Sequence, residues 1–134
     1  MITLVDSNVI LDLVTDDPKW AQWSADALSQ AANESTLAIN PLIFAEVSIG
    51  FRTVEELEQL LPSQEFGRLE LPYEAAFLAG KAYLSYRRRG GRRSAPLADF
   101  YIGAHAAVAG LRLLTRDARR YRTYFPTLEL IAPD

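Results

Sequence analysis

The sequence contains no cysteine and one histidine, and this excludes several kinds of functional site. Without cysteine the chain has no disulfide scaffold, no thiol nucleophile and no Cys-His catalytic pair. A zinc finger is excluded as well, because its ligands are cysteine and histidine. Any metal site in this chain must therefore be built from oxygen ligands.

Long apolar runs are also lacking. No stretch approaches the roughly 18 apolar residues that a membrane helix needs. The first residues, Met1 to Asp6, also lack the basic region and the following apolar core that are typical of a signal peptide. We therefore expect a cytoplasmic protein that does not associate with a membrane. The length of 134 residues and a hydrophobic content of 49% predict a single domain over residues 1–134.

Lysine is scarce, because of 14 basic residues only Lys19 and Lys81 are lysines. The charges are also unevenly distributed: residues 1–74 hold 3 basic and 13 acidic side chains, whereas residues 75–134 hold 11 and 4. Arginine favours bidentate contacts with phosphate and carboxylate groups. The composition of the second half therefore favours an anionic partner.

The pattern of apolar residues predicts an alternation of strands and helices. Five short apolar or alternating segments predict strands, at residues 2–5, 37–39, 66–71, 111–114 and 128–131. Helical spacing predicts helices between them, one of which starts at Asp17-Pro18 and another of which ends at the arginine-rich segment from Arg87. Pro96 is predicted to start the next helix. We therefore predict an α/β fold, with about five mostly parallel strands flanked by helices on both faces.

Two acids, Asp6 and Asp117, directly follow predicted strands. In parallel α/β folds the ligand site lies at the carboxyl ends of the strands. Aspartate also caps helices and forms turns, so the position of either residue alone fits both a capping role and a functional role.

Two further acids, Glu46 and Asp99, lie among apolar residues on predicted helices. Since Lys and Arg are not placed on those helix faces, ordinary ion pairing explains these acids poorly. A divalent cation would offset the repulsion among four gathered carboxylates, and an oxygen ligand set favours Mg²⁺ or Mn²⁺. His105 lies about 120° around its helix from Asp99 and is predicted to be a core or surface residue. Asp12 shares a face with polar residues and is predicted to be exposed to solvent.

Four segments resemble, in order along the chain, the acidic motifs of the PIN-domain nucleases: Val5 to Asp12, Ala45 to Val47, Leu97 to Ala104 and Leu114 to Asp117. Within that family the sequence is most similar to the VapC-type toxins of bacterial and archaeal toxin–antitoxin modules, over essentially its whole length. The resemblance implies that Asp6, Glu46, Asp99 and Asp117 are the catalytic Mg²⁺ ligands. It further implies auxiliary roles for Ser7, Asn8 and Thr115.

The resemblance also implies a function, namely metal-assisted hydrolysis of phosphodiester bonds in a cellular RNA such as tRNA or rRNA, which arrests translation. The expected partners are the RNA substrate, a cognate VapB-type antitoxin and a second copy in a homodimer. Basic side chains before the third acidic motif are expected to hold the RNA backbone: Arg87, Arg88, Arg89, Arg92 and Arg93.

The sequence also bears on two functions other than that of a nuclease. A catalytically idle PIN-like module that binds nucleic acid or protein is the alternative, although such a module would normally have lost one of the four acids. A receiver-like phospho-acceptor module needs an acidic pair after the first strand and a lysine after the last strand, and the sequence has neither.

Overall fold

The computed structural model describes residues 1–92 and 97–133. Along the chain the elements are β1 (Ile2–Val5), α1 (Ser7–Val14), α2 (Ala21–Glu34), β2 (Thr36–Ile39), α3 (Pro41–Ser48), α4 (Val54–Leu60), β3 (Phe66–Arg68), α5 (Tyr73–Arg88), α6 (Leu97–Ala109), β4 (Arg112–Leu114), α7 (Arg119–Tyr124) and β5 (Leu130–Ile131).

The five strands form one sheet in the order β3-β2-β1-β4-β5, and every pair is parallel. Thr3, Leu4 and Val5 of β1 are all fully buried, although successive side chains of a strand point to opposite faces, so both faces of the sheet are covered. This confirms the predicted α/β fold. Because β2 and β4 lie on opposite sides of β1, a crevice opens where the carboxyl ends of β1 and β4 meet.

Side-chain caps begin several helices where the sequence predicts them. Asn40 caps α3 by accepting a hydrogen bond from the backbone of Ile43 at 3.0 Å. Thr53 caps α4 in the same way, accepting from the backbone of Glu56 at 3.2 Å. These N-caps fix the residues at which the two helices begin.

Helix α2 begins at Ala21, later than the predicted start at Asp17-Pro18. The Asp17 carboxylate accepts hydrogen bonds from the backbone of Lys19 and of Trp20, both at 2.9 Å. These bonds stabilise a turn, and the helix starts only after it.

Helix α5 ends at Arg88, within the arginine-rich segment that is predicted to end it. Gly90, two residues after the end of the helix, has a φ of 88°, which suits glycine, and the chain turns there. Arg93 and the predicted helix start at Pro96 lie outside the described residues.

Within residues 1–92 and 97–133, no helix combines the length and the apolar character needed to cross a lipid bilayer.

Candidate active site

Asp6 lies at the carboxyl end of β1, where the chain enters α1. Its backbone N–H donates to the carbonyl of Leu114 at the end of β4, at 2.9 Å, so this residue stands at the crevice between the two strands. Its side chain is buried and accepts three hydrogen bonds, from the backbone of Ser7 at 2.8 Å and from the hydroxyls of Thr115 and Tyr121 at 2.9 Å. Asp6 is therefore held in a fixed orientation.

The pKa of Asp6 is raised to about 6, mainly by burial and to a smaller extent by the charges of Asp99 and Glu46. The hydrogen bonds from Thr115 and Tyr121 oppose this rise, because they stabilise the ionised form. The negative charge of Asp6 thus lacks full compensation from protein groups.

Glu46 lies on α3, which follows β2. The Ser7 hydroxyl donates to its Oε1 at 2.9 Å. Burial raises the pKa of Glu46, and the charge of Asp99 adds to the rise. Glu46 is half-buried rather than enclosed, because α3 ends at Ser48 and the expected apolar neighbour Ile49 is 86% exposed.

His105 is buried on α6, and its Nδ1 lies 3.0 Å from Nδ2 of Asn40, the residue that caps α3. Burial lowers the pKa of His105. This confirms the prediction of a core or surface histidine, and its contact with Asn40 connects α6 to the start of the helix that carries Glu46.

Asp99 lies on the first turn of α6 and is half-buried. Its Oδ2 accepts a hydrogen bond from Nη1 of Arg120 at 2.8 Å. The expectation that no arginine pairs with this acid is therefore wrong, because Arg120 comes from α7. Burial nevertheless raises the pKa of Asp99; the charge of Arg120 opposes the rise and that of Asp117 adds to it.

Asp117 follows β4 and is exposed. Its backbone N–H donates to Oγ1 of Thr115 at 3.2 Å, and the same hydroxyl donates to Asp6. Asn8 supports this segment from the other side, since Nδ2 donates to Thr115 at 3.3 Å and Oδ1 accepts from the backbone of Arg116 at 3.1 Å. Thr115 and Asn8 thus connect the ends of β1 and β4.

A small cleft of about 120 Å³ opens at this end of the sheet. It is lined by Asp6, Ser7, Asn8, Asp99, Asp117, Arg120 and Tyr121. Glu46 contacts the cleft through Ser7, so the four predicted acids lie at the same end of the sheet. The carboxylate, hydroxyl and amide oxygens of the cleft are the donors that a hard divalent cation prefers. In their present positions, however, no three Asp, Glu or His side chains in the described part of the chain are close enough to hold a metal ion.

The PIN domain family model matches residues 3–126 of the sequence. The chain belongs to the PIN domain family. No curated protein matches it significantly by sequence.

Solved structures share the PIN fold with this chain. It is similar to VapBC2 from Rickettsia felis bound to a promoter DNA fragment, with a TM-score of 0.75, 19% identity and coverage of 100% of both chains. It is also similar to VapBC-1 from nontypeable Haemophilus influenzae, with a TM-score of 0.73, 18% identity and coverage of 98% of both chains. For FitAcB from Neisseria gonorrhoeae the TM-score is 0.71 and the identity 20%, with coverage of 98% of this chain and 96% of that chain.

Asp12 of this PIN domain is buried, so its predicted exposure is wrong. Its Oδ2 and Oδ1 accept from Nε and Nη2 of Arg116 at 2.8 and 3.0 Å, and Oδ2 also accepts from the Ser24 hydroxyl at 2.8 Å. The guanidinium of Arg116 lies 5.5 Å from the ring centroid of Trp20. The polar neighbours of Asp12 on α1 predict an exposed side chain. Arg116 and Ser24, which lie on other segments, enclose the carboxylate instead.

The arginine-rich segment of the PIN domain is partly helical. Arg87 is half-buried on α5, and its Nε is enclosed without a hydrogen-bond partner among the described residues. Arg88, Arg89 and Arg92 are exposed. After Gly90 the chain turns back, so that the backbone of Arg92 donates to the hydroxyl of Tyr86 at 3.0 Å.

An aromatic cluster of Tyr86, Phe100 and Tyr124 connects this segment to the cleft. The guanidinium of Arg89 lies 5.4 Å from the ring centroid of Tyr124. Arg120, which lines the cleft, lies 5.2 Å from the ring centroid of Tyr86 and 5.3 Å from that of Phe100. Arg89 and the backbone of Arg92 therefore contact the same aromatic cluster as Arg120.

Two cleft residues, Arg120 and Tyr121, are missing from the set predicted from sequence, because α7 is not among the predicted helices. The signal is present in the sequence: Tyr121, Tyr124 and Phe125 recur at helical spacing after Asp117, and Tyr121 and Phe125 are buried. That pattern places the residue before Tyr121 at the start of a helix beside the last acidic motif.

Proposed function

We propose that this PIN domain is a divalent-metal-dependent endoribonuclease and the toxin of a cytoplasmic toxin–antitoxin pair. One observation carries the proposal: four acids from separate segments of the chain lie at the same end of the sheet, at the crevice between the carboxyl ends of β1 and β4. Acids at such a position need a cation, and a metal held by carboxylates is a recurrent device for cleaving phosphodiester bonds.

Asp6, Glu46, Asp99 and Asp117 would hold Mg²⁺ or Mn²⁺. A bound metal of this kind activates water and stabilises negative charge on the phosphate. Ser7, Asn8 and Thr115 would act through the acids, since Ser7 donates to Glu46, Thr115 donates to Asp6, and Asn8 supports the segment that carries Asp117.

The acids differ in what they can do during hydrolysis. Asp6 accepts three hydrogen bonds and is fixed, which suits a ligand. Asp117 lines the cleft and is exposed, which suits the acceptor of the proton from the attacking water.

The RNA backbone would lie across the arginine-rich segment, on Arg88, Arg89 and Arg92. The charges of Arg87 and Arg93 would add to the positive electrostatic potential there. A positive field beside the acids would offset their repulsion of phosphate. The RNA would be a structured molecule such as tRNA or rRNA, whose unpaired loops present accessible bonds. Its cleavage would arrest translation.

A VapB-type antitoxin and a homodimer complete the proposal. The antitoxin is supported by the similarity of the fold to chains of the VapBC structures from Rickettsia felis and Haemophilus influenzae. A catalytically idle PIN module remains the second candidate, because Asp99 is paired with Arg120 in this structure.

The decisive experiment compares cleavage of end-labelled tRNA, rRNA fragments and matched DNA by the purified protein in Mg²⁺, in Mn²⁺ and in EDTA. We expect cleavage of RNA with metal only, and loss of cleavage in Glu46→Gln and Asp99→Asn. Glu58→Gln, which neutralises an exposed acid on α4, is the control and should cleave like the wild type. Binding of RNA without cleavage under all conditions would support the idle module instead.

A further inference from the structure

Arg120 is the basic residue among those that line the acidic cleft. Its Nη1 donates to Oδ2 of Asp99 at 2.8 Å, and no second hydrogen bond between the two residues is present. The ion pair is partly open to solvent, since the two side chains are 31% and 34% exposed. A single-contact pair of this exposure contributes little stability.

Another arginine–aspartate pair, between Arg116 and Asp12, is built differently. Arg116 contacts Asp12 through two hydrogen bonds, and the Asp12 side chain is 2% exposed. Such a pair is expensive to break, because separation leaves a buried charge without a partner. The contrast indicates that Arg116 fixes the structure, whereas Arg120 can exchange its partner.

The position of the Arg120 guanidinium does not depend on Asp99 alone. It also lies against the rings of Tyr86 and Phe100, at 5.2 and 5.3 Å from their centroids. When Asp99 turns to another cation, these rings can keep the guanidinium at the cleft with free N–H groups. A planar guanidinium with free donors matches the oxygens of a phosphate group.

We propose that Arg120 is an exchangeable cation of the site: it pairs with Asp99 in the metal-free protein, gives up Asp99 when a divalent cation binds, and then binds a phosphate of the nucleic acid. This inference rests on the proposed function, because it assigns Asp99 to the metal site. It makes Arg120 a substrate-binding residue whose contact depends on the metal.

The first test is Mg²⁺ binding, measured by calorimetry without RNA for the wild type, Arg120→Gln and Arg122→Gln. Arg122 is an exposed arginine on the same helix and is the control. Arg120→Gln should bind Mg²⁺ about two- to fivefold more tightly, because the metal no longer displaces a guanidinium. Arg120→Lys, which keeps the charge, should restore most of the wild-type affinity, and Arg122→Gln should match the wild type.

The second test is the affinity for a labelled tRNA in EDTA and in Ca²⁺, an ion that fills oxygen sites. Arg120→Gln should weaken tRNA binding about tenfold in Ca²⁺. In EDTA the loss should be much smaller, because Arg120 of the wild type is then paired with Asp99 and does not contact the tRNA. Arg122→Gln should give the same change in both conditions.

The outcomes separate the inference from the proposed function. If the wild type binds Mg²⁺ but Arg120→Gln binds it with equal affinity, or if the loss of tRNA affinity is the same in EDTA and Ca²⁺, the exchange is overturned and the metal site stands. If neither protein binds Mg²⁺, the metal site itself is overturned and the exchange falls with it.

Discussion

Asp12 and Arg116 form a bidentate ion pair that connects the first helix to the segment after β4, with N–O distances of 2.8 and 3.0 Å. The backbone of Arg116 also donates to Asn8, and its neighbours Thr115 and Asp117 belong to the acidic site. The pair therefore holds in place the segment that carries one of the four acids, although it lines no part of the cleft.

Asp12→Asn should destabilise the protein, because it leaves the Arg116 guanidinium without its charged partner. The cost should be roughly 1–4 kcal/mol, between the values for exposed and for buried pairs. Urea unfolding followed by circular dichroism measures it, with Asp26→Asn on the exposed face of α2 as the control. A change below about 0.5 kcal/mol in Asp12→Asn, the level typical of surface positions, would contradict the structural role.

Asp6 should make the metal-free protein less stable as the pH rises. Its pKa is raised from 3.8 to about 6 in the folded protein, so the folded state binds more protons than the unfolded state between these values. The free energy of unfolding should therefore fall through this interval, by up to roughly 3 kcal/mol from this group. Burial raises the pKa of Glu46 and of Asp99 as well, and both act in the same direction.

The difference between wild type and Asp6→Asn isolates this contribution. In EDTA the variant should be the more stable protein at pH 7.5, and its advantage should shrink as the pH falls towards 4. Thermal melting across this range measures the difference. An advantage that stays constant with pH, or a variant less stable than the wild type at pH 7.5, would show that Asp6 does not titrate in this way.

Tyr121→Phe should raise the pKa of Asp6 further, because the hydrogen bond from the Tyr121 hydroxyl stabilises the ionised carboxylate. The lost bond should also cost about 1 kcal/mol of stability. Titration of the Asp6 carboxyl carbon by NMR gives the pKa directly. Tyr73→Phe, at a position that is 91% exposed, should leave this titration unchanged.

Replacing Arg88 and Arg92 with alanine should weaken RNA binding and reduce its salt dependence. Each lost phosphate contact should lower the slope of log affinity against log salt by about 0.7–0.9. Arg52→Ala removes an exposed arginine from the acidic half of the chain and serves as the control. Mg²⁺ binding should be unaffected in both variants. An unchanged slope in the double variant would mean that the arginine-rich segment is a solvated surface.

The sheet and the approximate positions of the acids could be predicted from sequence because both depend on local pattern. The apolar run before Asp6 predicts β1, and the cap at Asn40 predicts the helix that carries Glu46. Parallel strands place the residues after them at one edge, so the proximity of Asp6 and Thr115 follows from topology alone.

The partners of the acids could not be predicted in the same way. Arg116 is 104 residues from Asp12 in sequence, and Arg120 is 21 residues from Asp99 on a helix that the pattern left unassigned. Polar neighbours on one helix describe only that helix, whereas burial depends on every element packed against it. For this reason the sequence pattern predicts a solvent-exposed Asp12 and no ion-pair partner for Asp99, and both predictions are wrong.

We propose that Asp6, Glu46, Asp99 and Asp117 form one metal site, and Mn²⁺ binding measured by electron paramagnetic resonance tests this proposal most directly. We expect the wild type to bind Mn²⁺ and Asp6→Asn, Glu46→Gln, Asp99→Asn and Asp117→Asn each to lose at least about tenfold in affinity, while Glu58→Gln binds like the wild type. Wild-type Mn²⁺ affinity in any one of the four variants would contradict the claim.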